Sequence, residues 1–162
     1  MAEEWVDIVD EHNNVIDAVP RSVMRQQHLL HRATYIAITN AQGQLYVQRR
    51  TATKDYCPSM LDACCGGVVS AGEDVLASAY RELAEEMGIT GVMLKPHGAF
   101  LHCDNECNVW GELFSCQYDG ELTLQEEEVE YVLLMSGEEI LARSSEFTPD
   151  SLVAIHLWLS MQ

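Results

Sequence analysis

Glu82, Glu85 and Glu86 stand at i, i+3 and i+4, so a helix that carries them gathers three carboxylates on one stripe. Like charges at this spacing destabilise an isolated helix by about a few tenths of a kcal/mol per pair. Converging carboxylate oxygens form the hard site that Mg²⁺ or Mn²⁺ accepts, and a bound cation turns their repulsion into ligation. Arg81 can relieve part of the charge by reaching Glu85 one turn later. The competing reading is a solvated acidic face. Two features weigh against it: the acids are not interspersed with lysines, and the helix follows a Gly66-Gly67 turn where backbone can approach a ligand closely.

The helix expected to position these acids runs from Asp74 to Met87, with Gly88 suited to a left-handed stop. Leu76, Ala79, Leu83 and Met87 fall on a separate stripe that would pack on a sheet. Upstream, Trp5 to Asp10 and Val15 to Val19 read as strands around the turn His12-Asn13-Asn14, an N-terminal hairpin over about 4–19. Arg21 to Gln27 follows Pro20 as a short helical or irregular piece. Ala33 to Thr39 and Gln44 to Gln48 flank the hairpin turn Asn40-Ala41-Gln42-Gly43. Thr51 to Ser59 reads as a loop, and Leu61 to Cys65 as a short apolar run entering the Gly-Gly turn. Val92 to His102, Val109 to Tyr118 and Tyr131 to Met135 are further strand candidates, and Gly137 to Ala142 a short helix. Thr148-Pro149-Asp150 supplies a cap, a first-turn proline and an acidic start for a last helix over about 149–160. The order implies one α/β (α+β) domain over 1–162, with a mixed sheet between helices.

The spacing around the acids is longer than a helix stripe. Gly67, five residues, Glu73, seven residues, then Arg81-Glu82-Leu83-Ala84-Glu85-Glu86-Met87-Gly88-Ile89 resembles the complete Nudix box, 23 residues with every defining position filled. The resemblance implies an α/β/α sandwich and a loop–helix–loop metal site. It implies Mg²⁺ or Mn²⁺ on Glu82, Glu85 and Glu86, with a backbone carbonyl at Gly66 adding a ligand. Arg81 would orient a metal-binding glutamate, and Glu73 would stabilise the loop. Glu82, Arg81 and Glu85 are thus the candidate catalytic residues. The implied reaction is attack of water at a phosphorus of a diphosphate, with Glu82 or an acid outside the box as general base. Gln125-Glu126-Glu127-Glu128-Val129 could supply such an acid, with Glu128 the choice; a solvated charge run is the alternative.

Similarity extends beyond the box. Leu30-His31-Arg32-Ala33, Gly43 to Arg50 and Cys65-Gly66 resemble stretches of the type I isopentenyl-diphosphate isomerases, and most closely the isomerase-like, YfcD-like branch of bacterial Nudix hydrolases. Cys65 sits at the isomerase cysteine and His31 matches one histidine of that family. Gly67 stands where another histidine would be, Met24 near where a third would lie, and the residues after Glu106 are out of register. The intact box favours a hydrolase acting on a nucleoside diphosphate derivative or related X-diphosphate. An isomerase and a non-catalytic diphosphate-binding module are the alternatives. Cys65 then reads first as a buried strand-end residue, next as an isomerase relic, last as a reactive thiol.

Composition bounds what the partner can be. The net charge of −17 repels polyanions, which argues against nucleic acid as a ligand, whereas a cation held by carboxylates can bridge to a small diphosphate. Arg49 and Arg50, with Lys54 behind them, are candidate phosphate contacts in this acidic chain, against surface ion pairing. Tyr56 and Trp110 are the aromatics on which a base could stack, with Thr51–Ser59 and Ala99–Asn108 as lining segments. The six cysteines read as thiols on strands rather than disulfides or a zinc site. No run approaches the roughly 18 apolar residues of a membrane span, and the acidic start lacks a signal peptide, so a soluble, cytoplasmic protein is expected. Leu152, Ile155, Leu157 and Trp158 of the last helix leave two destinations open, this chain's own core or the second copy of a homodimer.

Overall fold

The computed structural model describes residues 3–162. In chain order it places β1 (Trp5–Val9), β2 (Val15–Pro20), α1 (Arg21–Gln27), β3 (His31–Thr39), β4 (Leu45–Arg50) and β5 (Leu61–Asp62). There follow α2 (Val75–Met87), β6 (Lys95–Cys103), β7 (Asn108–Gln117), β8 (Val129–Met135), α3 (Gly137–Ala142) and α4 (Pro149–Ser160). The strands form one mixed sheet. Its spine is the parallel pair β3–β7, in register from His31 opposite Val109 to Thr39 opposite Gln117. β6 adds antiparallel to β7, β8 antiparallel to β4, and the β1–β2 hairpin joins β3 through Ile8 and His31.

Alternation along β3 creates the layers. Ala33, Tyr35 and Ala37 face one side, where they pack with Leu113, Ala154 and Ile155, so α4 closes that face. Ile36 and Ile38 face the other, where they meet Ala79, Leu83, Met87 and Phe114, so α2 closes the second. Each fully buried Leu, Ile or Met in these clusters contributes roughly 1.5–3 kcal/mol relative to exposure. The result is the expected α/β/α sandwich. Leu152, Leu157 and Trp158 also pack on the α4-side cluster, which removes this helix as a reason to expect a second copy.

Local differences from the sequence expectation have simple causes. Leu76, expected on the packing stripe, is 44% exposed, because Val75 takes the inward position of the first turn. Thr148 precedes α4 in extended backbone, yet its hydroxyl donates to Ser151 Oγ at 2.7 Å instead of accepting from the helix. β6 starts at Lys95, three residues later than expected, since Leu94 N–H is taken by the Tyr80 hydroxyl at 3.0 Å. The segment Ala99–Asn108 is mostly strand, with a turn held by Asp104, whose carboxylate accepts from Glu106 and Cys107 N–H. Among the described residues no helix is long and apolar enough to cross a membrane.

Candidate active site

The helix α2 is capped at both ends. The Asp74 carboxylate accepts from Ala77 N–H at 3.0 Å, and Gly88 closes the helix at φ 68° with its N–H on the Leu83–Ala84 carbonyls. This holds the acidic stripe in place beside the Gly66-Gly67 turn. Arg81 is the hub of that stripe. Its Nε and Nη2 donate to the two oxygens of Glu73 at 2.7 and 2.9 Å, a bidentate pair. Its Nη1 donates to Glu82 at 3.1 Å and Glu85 at 3.2 Å. The bidentate bond keeps the Glu73 carboxyl below its usual range, so Glu73 anchors the arginine from the loop.

Glu86 is buried beneath the turn. Its Oε1 accepts from Gln48 Nε2 at 3.4 Å, from Cys65 Sγ at 3.4 Å and, at the limit of hydrogen bonding, from Gly66 N–H at 3.5 Å. Burial, and next the charge of Glu82, push its pKa up to about 8. Burial also raises Glu82, which Arg81 partly offsets. A Cβ at residue 67 would sit 2.8 Å from Glu82 Oε1, so a side chain there would displace this carboxylate.

The three acids do not converge on one point as the helical spacing implies. Among the described residues no three acidic, histidine or cysteine side chains stand together closely enough to hold an ion. Glu82 and Glu86 share the buried side, whereas Glu85, half-exposed, is drawn outward by Arg81. The donor set still suits a hard divalent cation. Two adjacent buried carboxylates need a proton or a cation between them, and Glu85 lies one Arg81 contact away from joining them.

The acids line one wall of a cleft of about 300 Å³. Arg50, Lys54, Asp62 and Glu128 also line it, as do His31, Tyr35, Tyr56 and Asp150, the last hydrogen-bonded to both tyrosines. Arg50 donates to Asp62 at 3.2 Å and to the Tyr56 carbonyl at 3.0 Å. Burial raises Asp62 to about 6, with Arg50 opposing the rise. Lys54 pairs with Glu128, bringing the sequence-predicted extra acid to the cleft edge.

Residues 29–154 match the Nudix domain family. The chain belongs to the Nudix hydrolases. Over 156 residues, covering 96% of this chain and 87% of the relative, it is 55% identical to the Nudix hydrolase YfcD of Escherichia coli (strain K12). A Nudix hydrolase of Pseudomonas aeruginosa is 39% identical, with 96% of this chain and 94% of the relative covered. The crystal structure of DR0079 from Deinococcus radiodurans superposes with a TM-score of 0.77 at 24% identity, covering 88% and 89% of the two chains. The Nudix domain of Shewanella oneidensis NrtR does so at 0.64 and 12% identity, covering 80% and 86%. At these identities the two structures show a shared fold.

Within this Nudix hydrolase, an enzyme of diphosphate bonds, the expected substrate arginines separate. Successive residues of β4 point to opposite faces, so Arg50 turns into the cleft while Arg49 faces Tyr131 and Glu130 outside it. Arg49 is therefore no cleft residue. Tyr56 reaches the cleft, but Arg25 and Arg50 already stack on its ring at 5.0 and 5.7 Å; Trp110 lies away from the lining. Cys65 is buried between Ile36 and Glu86, and burial, then Glu86, hold its thiol well above the usual range. Glu106 sits exposed in the β6–β7 turn, outside the cleft. Sequence reasoning missed Arg21, Arg25, Asp62 and Asp150. The i, i+4 spacing of Arg21 and Arg25 was readable, but only topology brings α1 to this cleft.

Proposed function

We propose that this Nudix hydrolase is a Mg²⁺- or Mn²⁺-dependent pyrophosphohydrolase that splits a polar X-diphosphate, of the nucleoside diphosphate class, by water attack at phosphorus. The observation that carries the reading is the buried Glu82–Glu86 pair under the Gly66-Gly67 turn, facing a cleft walled by charged side chains. Glu82, Glu85, Glu86 and the Gly66 carbonyl would hold the metal, which supplies charge neutralisation on the phosphate oxygens and an acidified water. Arg81 keeps Glu82 and Glu85 in reach of that position, itself held by Glu73. Arg50 and Lys54 face the diphosphate oxygens. A carboxylate lining the cleft accepts the proton of the attacking water, Glu82 on the helix or Glu128 on the loop before β8; comparing Glu128→Gln with Glu82→Gln separates the two. The nucleotide class also draws support from the NrtR domain, whose structure was solved with ADP ribose.

Support for isomerase chemistry is weaker. A five-carbon isoprenoid tail needs an apolar slot, and the cleft offers arginines and carboxylates instead. The glutamate that would oppose Cys65 in that reaction, Glu106, lies outside the cleft. A screen of nucleoside di- and triphosphates, nucleotide sugars and isoprenoid diphosphates, with and without Mg²⁺ or Mn²⁺, tests the proposal. Metal-dependent release of phosphate or monophosphate that Glu86→Gln abolishes is the expected result. Full activity of that variant, or conversion of isopentenyl diphosphate to its allylic isomer without hydrolysis, overturns it.

A further inference from the structure

The chain has nine lysines and arginines against 26 aspartates and glutamates. Five of the nine, Arg21, Arg25, Arg50, Lys54 and Arg81, line this one cleft, but only seven of the 26 acids do. Arg81 belongs to the helix acids, and Lys54 lies close enough to Glu86 to favour its ionised form. Arg21 and Arg25 act elsewhere. Their charges fall on His31, and Arg25 lies over the Tyr56 ring, whereas Arg81 is bonded to the helix acids.

These two arginines come from α1, one turn apart and before residues 29–154, the part that matches the Nudix domain. Asp55 is not among the residues lining the main cleft, and it pairs with both guanidiniums. Arg21 donates to it from Nε and Nη2 at 2.9 and 3.3 Å, and Arg25 Nε stands 3.6 Å from it. Glu4 accepts the Nη1 donor of Arg21 at 3.2 Å. Arg25 has its plane set by the Tyr56 ring, at 5.0 Å. Among the described residues its buried Nε has no hydrogen-bond acceptor. A guanidinium carries five donors in a planar fork suited to phosphate; the Arg25 Nε is turned to Asp55, so its terminal amino groups are the donors that a ligand in the cleft would meet.

We propose that Arg21 and Arg25 form a second anion subsite, which selects substrates bearing a phosphate monoester in addition to the diphosphate that is cut. Two adjacent guanidiniums match a phosphate dianion better than a single carboxylate. The proposal rests on the reading that the helix acids hold the diphosphate, and it adds that the remote half of the substrate is itself anionic.

Two compound pairs differ by one such phosphate: NADH and NADPH, and dephospho-coenzyme A and coenzyme A. Calorimetry on the full chain with Ca²⁺ in place of Mg²⁺ keeps a cation between the acids and the diphosphate while slowing turnover, and hydrolysis with Mg²⁺ is followed in parallel. We expect the phosphorylated member of at least one pair to bind about tenfold tighter or more, the size of one charge-assisted contact. That ratio falls towards one in Arg25→Gln and is partly kept in Arg25→Lys. If Arg25→Gln melts early, Arg21→Gln carries the same comparison. A ratio near one in the wild type for both pairs, no binding of any of the four compounds, or an unchanged ratio in folded Arg25→Gln and Arg21→Gln overturns the subsite. Selective binding with no hydrolysis across the whole substrate screen leaves the subsite standing and sinks the hydrolytic reading; hydrolysis without selectivity does the reverse.

Discussion

One wall of the cleft is a single helix with its preceding turn; the other is gathered from α1, the end of β4, the loop after it and the start of α4. The first wall is fixed by local geometry. Its carboxylates, their arginine and the arginine's anchor Glu73 all lie within 14 residues, 73–86. The second wall depends on the fold being complete. Tyr35 of β3 and Tyr56 of the loop both donate to Asp150 of α4, across 115 and 94 residues of chain. On the proposed reading, chemistry falls on the wall set mainly by local spacing, and recognition on the wall set by long-range packing. The two walls should fail in different ways.

The largest contrast is expected at Glu86. Glu86→Gln should lower kcat by about 10³-fold or more in Mg²⁺, the scale of losing a preorganised charge contact. Its melting temperature without metal should be no lower than that of the wild type, since the change removes a buried carboxyl beside Glu82. A variant that unfolds would show that the acid wall is structural as well.

His31 tests the opposite wall through pH. It is 2% exposed, and burial holds its pKa down to about 4, so the folded protein keeps it neutral where the unfolded chain, at about 6.5, takes up a proton. This contribution is therefore complete above pH 6.5 and is lost as pH falls towards 4, by up to about 3 kcal/mol. Urea unfolding across that window should show the slope in the wild type and a shallower one in His31→Gln. Equal slopes would exclude His31 as its source.

The sequence made the acid wall legible because helical spacing and a fixed box act within one element. It could not separate Arg49 from Arg50, because facing depends on the register of β4 against β8. Arg50→Gln should raise KM about tenfold, the size of one charge-assisted phosphate contact, while Arg49→Gln stays within about twofold. Similar effects at both positions would undo the assignment by face. The layers were legible from the order of strands and helices and from the family resemblance, but Asp150 was not, since a buried acid at the start of a helix reads as an ordinary first-turn residue until two tyrosines are brought to it. Tyr35→Phe should cost about 1–2 kcal/mol in urea unfolding by leaving Asp150 one donor short.

Gly66 and Gly67 are neighbours, yet a side chain would mean something different at each. At residue 66, where φ is +150°, a Cβ would lie 2.0 Å from the Thr34 backbone carbonyl oxygen, which cannot step aside without tearing β3. At residue 67 it would meet only the carboxylate end of Glu82, which can swing away at little cost to the fold but not to the chemistry. Neighbouring positions thus carry separate burdens: a side chain at 66 should lower the yield of folded protein, whereas one at 67 should leave it folded with the Glu82 carboxylate displaced.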